Sequence, residues 1–427
     1  MIIPTNLIAD PTIIQGLIDG SLVRYGGVIR NAAGTEQAGQ IVRHLTESSG
    51  FTNQLMSLPF SPVMGSASLA TNAIGHATTF NQLVGLQQTA SSILGFSQIA
   101  AGASVLNLGV SIAGFAYMGY KLHQTQKAIN KLQKSMDAGF NRVEERLDQL
   151  SGQLAYLHLL VEDSRQKQQD LHNAITDLHK ALLIQKIADL QAELETLKRF
   201  PNDSPKAALK TATSVRLFLA SQAMQAPLQD EANTLMLVDV STQGWAVATA
   251  TEANLLLQHG YIEDAQAMLD LEVPRFQQHA NHWAKTLLNT ERSELATAQR
   301  FATPYFQEEI TSERVQRIIT ISPSDNNLSS EKAYQKRLDA EVELQMTRTQ
   351  PQITEQWKHR QLALAEYLDT LSELSSRLDS LRDFAQLCAE QDVSSSHDLL
   401  PDEKAKPGLY LLPNHHASGE RMTFNSL

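Results

Sequence analysis

Residues 93–120 read ILGFSQIAAGASVLNLGVSIAGFAYMGY, apolar except for Ser97, Gln98, Ser104, Asn107 and Ser111. As a helix this stretch extends about 42 Å, enough to cross a hydrocarbon core of about 30 Å. The side chains that would enter lipid are Ile93, Leu94, Ile99, Val105, Leu106, Leu108, Val110, Ile112 and Phe115. Gly95, Gly102, Gly109 and Ala116 recur every seven residues and place small side chains on nearly one face. Close helix–helix approach in lipid uses such a face. The alternative is a buried, Gly- and Ala-rich helix of a soluble core.

Working outward, the segment ends a longer anomaly. Between Glu47 and Lys121 there is no Asp, Glu, Lys or Arg, although charged residues make up 19% of the chain. At that frequency a given window of this length is charge-free roughly once in 10⁷ draws, so composition drift does not explain it. A low-dielectric environment is the usual cause, because an unpaired charge there is costly. The first part of the gap, residues 63–88, is two-faced: Ser68, Asn72, His76, Thr79 and Gln82 form one helical stripe, and Leu69, Ala73, Phe80 and Val84 another. The polar stripe suits the face of a wet pore. Residues 89–92 (TASS) are a polar break, so 63–120 reads as a helical hairpin, with a single pass over 93–120 as the alternative. His76 reads as a pH-sensitive group or as a hydrogen-bonded neutral histidine.

On the far side of the gap the first charges are all positive: Lys121, Lys127, Lys131 and Lys134 precede Asp137. A basic edge beside a membrane helix contacts anionic headgroups and marks the cytoplasmic side. A solvated helix face accounts equally well for Lys131 and Lys134. Before the gap, the N-terminus lacks the basic start of a secretory signal, so the chain is expected to be made in the cytosol and to associate with a membrane when active. Residues 22–30 (LVRYGGVIR) and 40–45 suit a small β-hairpin, with Gly34 and Gly39 at turns and Tyr25-Gly26-Gly27 as a turn or packing site rather than a phosphate loop.

Downstream the chain is helical. No proline occurs from 63 to 200, and Leu122, Ile129, Leu132, Met136, Val143, Leu147, Leu150 and Leu154 begin a heptad-like series that runs on through Leu190, Leu194 and Leu197. A second seam runs through Trp357, Leu364, Tyr367, Leu371, Leu374, Leu378, Leu381, Ala385 and Cys388. Neither helix buries its seam alone, which predicts antiparallel pairing of the two within a bundle, with self-association as the competing solution. Ser204-Pro205 predicts a helix start, Ala253–Leu269 a helix–turn–helix around Gly260, Pro274–Phe301 and Pro304–Ile319 further helices, and 322–330 a loop. The expected fold is all-α, an elongated bundle of long coiled-coil-like helices. Its parts are an N-terminal cap or interaction segment (1–50), an uncharged membrane-active element (51–120), a long coiled-coil helix (121–200), a helical body closing the bundle (201–392) and a loose tail (393–427).

The 427 residues, 42% of them hydrophobic, exclude a disordered chain, and the lone Cys388 excludes a disulfide scaffold. A net charge of −11 argues against nucleic-acid binding. No HExxH, CxxC, Walker A or GxSxG pattern occurs. His279 and His282 beside Trp283 share a helix face but have no nearby acid or cysteine, and His415-His416 is a weaker pair, so no catalytic, cofactor or metal site is expected.

An uncharged hydrophobic element (63–120) joined to long helices (121–199 and 352–391) resembles the α-helical pore-forming toxins of the cytolysin A, haemolysin BL and xenorhabdolysin kind. The likeness is architectural and spans less than half of the chain. It implies a protein stored in soluble form that extends its apolar element into a lipid membrane and oligomerises with its own copies into a pore. Those families usually place a long helix before the hydrophobic element, whereas only some 60 residues precede it here. The competing expectations are a single-pass, membrane-anchored coiled-coil scaffold whose body recruits a cytosolic protein partner, and a wholly soluble helical interaction protein.

Overall fold

The computed structural model describes residues 7–8, 11–47, 203–225, 232–289, 291, 294–307, 309–348, 355–400 and 409–412, with scattered positions between 186 and 200. These are mostly helical, with seven α-helices and one small sheet. The uncharged element and most of the coiled-coil helix of 121–200 therefore lie outside the described residues.

Helices α2 (Lys206–Gln225), α3 (Ala232–Gln258) and α4 (Ile262–Leu288) follow one another. The first starts where Ser204-Pro205 predicted, with Leu209 N–H donating to the Pro205 carbonyl at 2.9 Å. The α3–α4 turn falls at Gly260, whose φ of +79° suits glycine. Glu263 and Asp264 in the first turn of α4 complement its dipole. That helix begins well before Pro274 and runs through it, so the helix expected to start at Pro274 is corrected: the Gly260 turn, not the proline, sets the boundary. Residues 298–302 form a 3-10 turn, and α5 spans Ser312–Ile321 rather than starting at Pro304. Helices α6 (Ser330–Arg348) and α7 (Glu355–Glu390) complete the body.

α7 is the central helix. Its expected seam is buried at Leu364, Tyr367, Leu371, Leu374, Leu378, Leu381, Ala385 and Cys388. Among the described elements its partners are α4, α5, α3 and the sheet. Leu190 and Leu197, at the end of the first heptad series, join the same apolar core. Each such leucine contributes about 2 kcal/mol on burial.

The sheet has five strands in the order β1-β5-β4-β3-β2, where β1 is Leu7–Ile8, β2 Leu22–Tyr25, β3 Val28–Asn31, β4 Ile41–Glu47 and β5 Leu409–Leu412. Helix α1 (Pro11–Asp19) packs beside β2. β2, β3, β4 and β5 are antiparallel neighbours, and β1 pairs in parallel with β5. The hairpin expected from 22–45 is thus one part of a larger sheet: it turns at Gly26-Gly27, and Gly34 and Gly39, both at positive φ, lie in the β3–β4 loop. The 393–427 segment, expected as a loose tail, supplies β5 between β1 and β4 and a 3-10 turn at Ser396–Leu399 capped by Ser395. Two short strands are marginal alone, and the apolar LYLL of β5 adds the pairing that they need.

Candidate functional site

None of the side chains expected to enter lipid, to pack helices closely, to touch headgroups or to line a pore falls among the described residues, since all lie between 68 and 134. The structure does describe the chain up to Glu47, the last charged residue before the uncharged stretch. Strand β4 carries that residue, so the sheet is the described element that immediately precedes the uncharged stretch in sequence.

The sheet lies along the second half of α7. Arg24 makes a two-pronged contact with Glu373, Nη1 to Oε1 at 2.8 Å and Nη2 to Oε2 at 2.9 Å, with both side chains 5% exposed. Arg377 Nε adds a third bond to Glu373 at 2.5 Å. Burial works against the Glu373 charge, but Arg24, Arg377 and Arg317 outweigh it and hold the carboxyl far below its usual range. Two turns beyond Glu373, Gly27 N–H donates to Ser380 Oγ at 2.8 Å, and that hydroxyl donates to backbone carbonyls. Gly26, at φ +55°, approaches so closely that a methyl group there would collide with the Ser376 carbonyl oxygen. Next, Arg30 Nη2 reaches Asp383 at 2.8 Å and Asp379 at 3.6 Å, while its guanidinium lies 4.7 Å over the Tyr25 ring. Asp379 is shared with Arg382 at 2.5 Å. Burial and the neighbouring Asp379 push Asp383 above its usual range, against the pull of Arg30. Burial, with Asp379 second, raises Tyr25 to about 12.

Helix α5 meets the same helix from another side, with Arg314 Nε 2.9 Å and Arg317 Nε 2.5 Å from Asp369. A sequence signal for this junction existed. Asp369/Glu373 and Asp379/Asp383 are like-charged pairs four residues apart, which repel on an isolated helix and so call for cations from elsewhere. Arg24 and Arg30, within otherwise apolar strands, are two of them.

Other polar groups among the described residues are internal as well. Arg216 bridges Glu252 at 2.6 Å and Glu272 at 2.8 Å, and Trp245 Nε1 donates to Glu272 at 2.8 Å. Asp325 accepts from Ser322 Oγ, Thr297 Oγ1, Ala298 N and Lys336 Nζ. Burial opposes its charge, but these bonds prevail and lower it. His279 is a core histidine: it is 8% exposed, bonds Thr242 Oγ1 at 2.8 Å and packs edge-on against Trp245 and Trp283. Burial, then the charge of His282, lowers it to about 4. Among the described residues no group of three or more His, Cys, Asp or Glu is placed to hold a metal ion, and no helix is long and apolar enough to cross a membrane. Comparison with protein-family models, with curated proteins and with solved structures finds no match to this chain.

Proposed function

We propose that this chain is a membrane-inserting, pore-forming helical protein, a toxin or defence effector that acts without catalysis. In this reading residues 93–120 stay hidden until they enter a lipid bilayer, and several copies assemble around the polar stripe of residues 68–82. The body of residues 201–392, with the helix of 121–200, makes an elongated bundle that carries the element. The single observation behind the reading is the run from residue 48 to 120 without one charged side chain. Burying residues 93–120 in lipid is strongly favourable at about 25 cal/mol per Å² of apolar surface, and exposing them to water is unfavourable by the same measure. A described body that closes its own core and pairs its internal charges is a suitable carrier for such an element.

The all-positive edge from Lys121 to Lys134 favours a second reading, a single-pass anchor with a cytosolic scaffold. Release of a small dye from lipid vesicles separates the two. Leakage at low protein concentration supports the pore. Tight vesicle binding without leakage supports the anchor, and a protein that ignores vesicles contradicts both.

A further inference from the structure

The C-terminal segment is fixed first to the body and then to the sheet. Helix α7 ends at Glu390, and Asp392 at φ +49° turns the chain, with Val393 N–H donating to the Cys388 carbonyl at 3.3 Å. Ser395 Oγ donates to the Gln258 carbonyl at 2.9 Å, and a methyl group on Gly260 would lie 2.7 Å from the Ser394 carbonyl oxygen. Leu399 and Leu400 pack against the main apolar core. The segment then supplies β5, which separates β1 from β4. Of the sheet's buried apolar side chains, Leu412 belongs to the main core, whereas Val28, Ile29 and Leu45 are buried apart from it.

The two sides of β4 are unequal. On one side β3 pairs Arg30 with Ile41, Ile29 with Arg43 and Val28 with His44, and Leu45 N–H donates to the Gly27 carbonyl at 2.7 Å. Strand β3 starts there, beside the Gly26-Gly27 turn that sits on α7. On the other side β5 runs further: Leu412 pairs with His44, Leu411 with Leu45, Tyr410 with Thr46 and Leu409 with Glu47. Among the described pairings, Thr46 and Glu47 are held by β5 alone. They are the last two residues before the charge-free run that starts at residue 48.

We propose that β5 is a latch strand: its pairing with Thr46 and Glu47 keeps the sheet closed next to the charge-free segment, and membrane insertion requires β5 to leave β4. The inference rests on the membrane-inserting reading for its purpose. A latch must be separable from the body that it closes. Strands β2 and β3 have their own attachment through Arg24–Glu373, Gly27–Ser380 and Arg30–Asp383, none of which involves β5. Loss of a four-residue strand thus frees the end of β4 and leaves that junction in place. Strand β1, which pairs with β5, leaves with it. Opening draws Leu412 out of the core, so its burial helps to hold the latch closed at rest.

The test is a reversible lock in the full chain. Leu45 N–H faces β3, so Thr46 N–H faces β5, and the opposed Thr46 and Tyr410 form a hydrogen-bonded pair with Cα atoms about 5.5 Å apart. A disulfide spans about 4.4–6.8 Å between Cα atoms. The Thr46→Cys/Tyr410→Cys variant is oxidised, and dye release from phosphatidylcholine–phosphatidylglycerol vesicles is measured with and without reductant. Cys388 is buried and stays out of the exchange. The latch predicts leakage that falls at least about tenfold on oxidation and returns on reduction. Equal leakage in both states overturns the latch and leaves the pore standing. No leakage from either state or from wild type contradicts the pore, and the latch falls with it. Leu412→Ala acts in the opposite direction and decides the matter if the reduced variant fails to leak while wild type does. Its Thr46 amide should exchange at least about tenfold faster while amides of α4 keep their protection, and leakage should start at a lower protein concentration than in wild type. Faster exchange with no gain in leakage overturns the latch, because a strand that only stabilises the sheet gives that result. Unchanged exchange at Thr46, or loss of protection in α4 together with the sheet, overturns it as well.

Discussion

The guanidinium of Arg24 and the carboxylate of Glu373 meet side by side, 349 residues apart in sequence, through two bonds of 2.8 and 2.9 Å. This pair joins the first hairpin of the chain to its last long helix, and it is buried. Removing one member of a buried pair leaves an uncompensated charge, at a cost of about 3–5 kcal/mol. Glu373→Gln should therefore lower the unfolding free energy by about that amount, read as a lower urea midpoint at an unchanged slope. Arg24→Lys keeps the charge but loses the second bond, and should cost about 1 kcal/mol.

The network inside α2, α3 and α4 gives a graded series. Glu272 receives Arg216, Trp245 and Arg275, so Glu272→Gln should cost about 3 kcal/mol in the same unfolding measurement. Arg275 bonds the same carboxylate at 2.7 Å, but its side chain is 37% exposed. Arg275→Ala should cost less than about 1 kcal/mol, because water screens that end of the network.

His279 makes the body acid-sensitive. Its pKa is about 4 in the fold against the usual 6.5 in the unfolded chain. The unfolded chain takes up the proton first, so the stabilisation is fully present above 6.5 and is lost as the pH falls toward 4. The loss amounts to about 3 kcal/mol. Unfolding free energy measured across that range should fall steeply in the wild type and less steeply in His279→Gln.

Gly26 and Gly34 separate close approach from backbone strain. Both have positive φ, but a side chain at Gly34 meets nothing within 4 Å, whereas one at Gly26 runs into the Ser376 backbone. Gly34→Ala should cost about 1 kcal/mol, and Gly26→Ala at least about 2 kcal/mol more, with loss of the sheet's amide protection.

These residues also mark what the sequence makes legible. Ser204-Pro205, the Gly260 turn and the Leu364–Cys388 seam are local patterns, and each corresponds to an observed boundary or buried face. β5 carries only four residues and pairs with strands some 400 positions away, so its place in the sheet has no local signature. Glu272, Arg216 and Glu373 look like solvated charges in a helical pattern until their partners are known. The like-charged spacings on α7 show that cations are needed there but not which strand provides them. The residues of the membrane reading, from Ser68 to Lys134, form the boldest pattern in the sequence and lie outside the described residues.

The most direct measurement follows a probe inside residues 93–120. Cys388 is buried, and burial pushes its thiol up to about 12, so an environment-sensitive fluorophore goes selectively to a Leu108→Cys variant. On adding vesicles under conditions that release dye, the account predicts a blue shift of the probe and quenching by a quencher attached to the lipid chains. Dye release with unchanged emission and no effect of that quencher would contradict it.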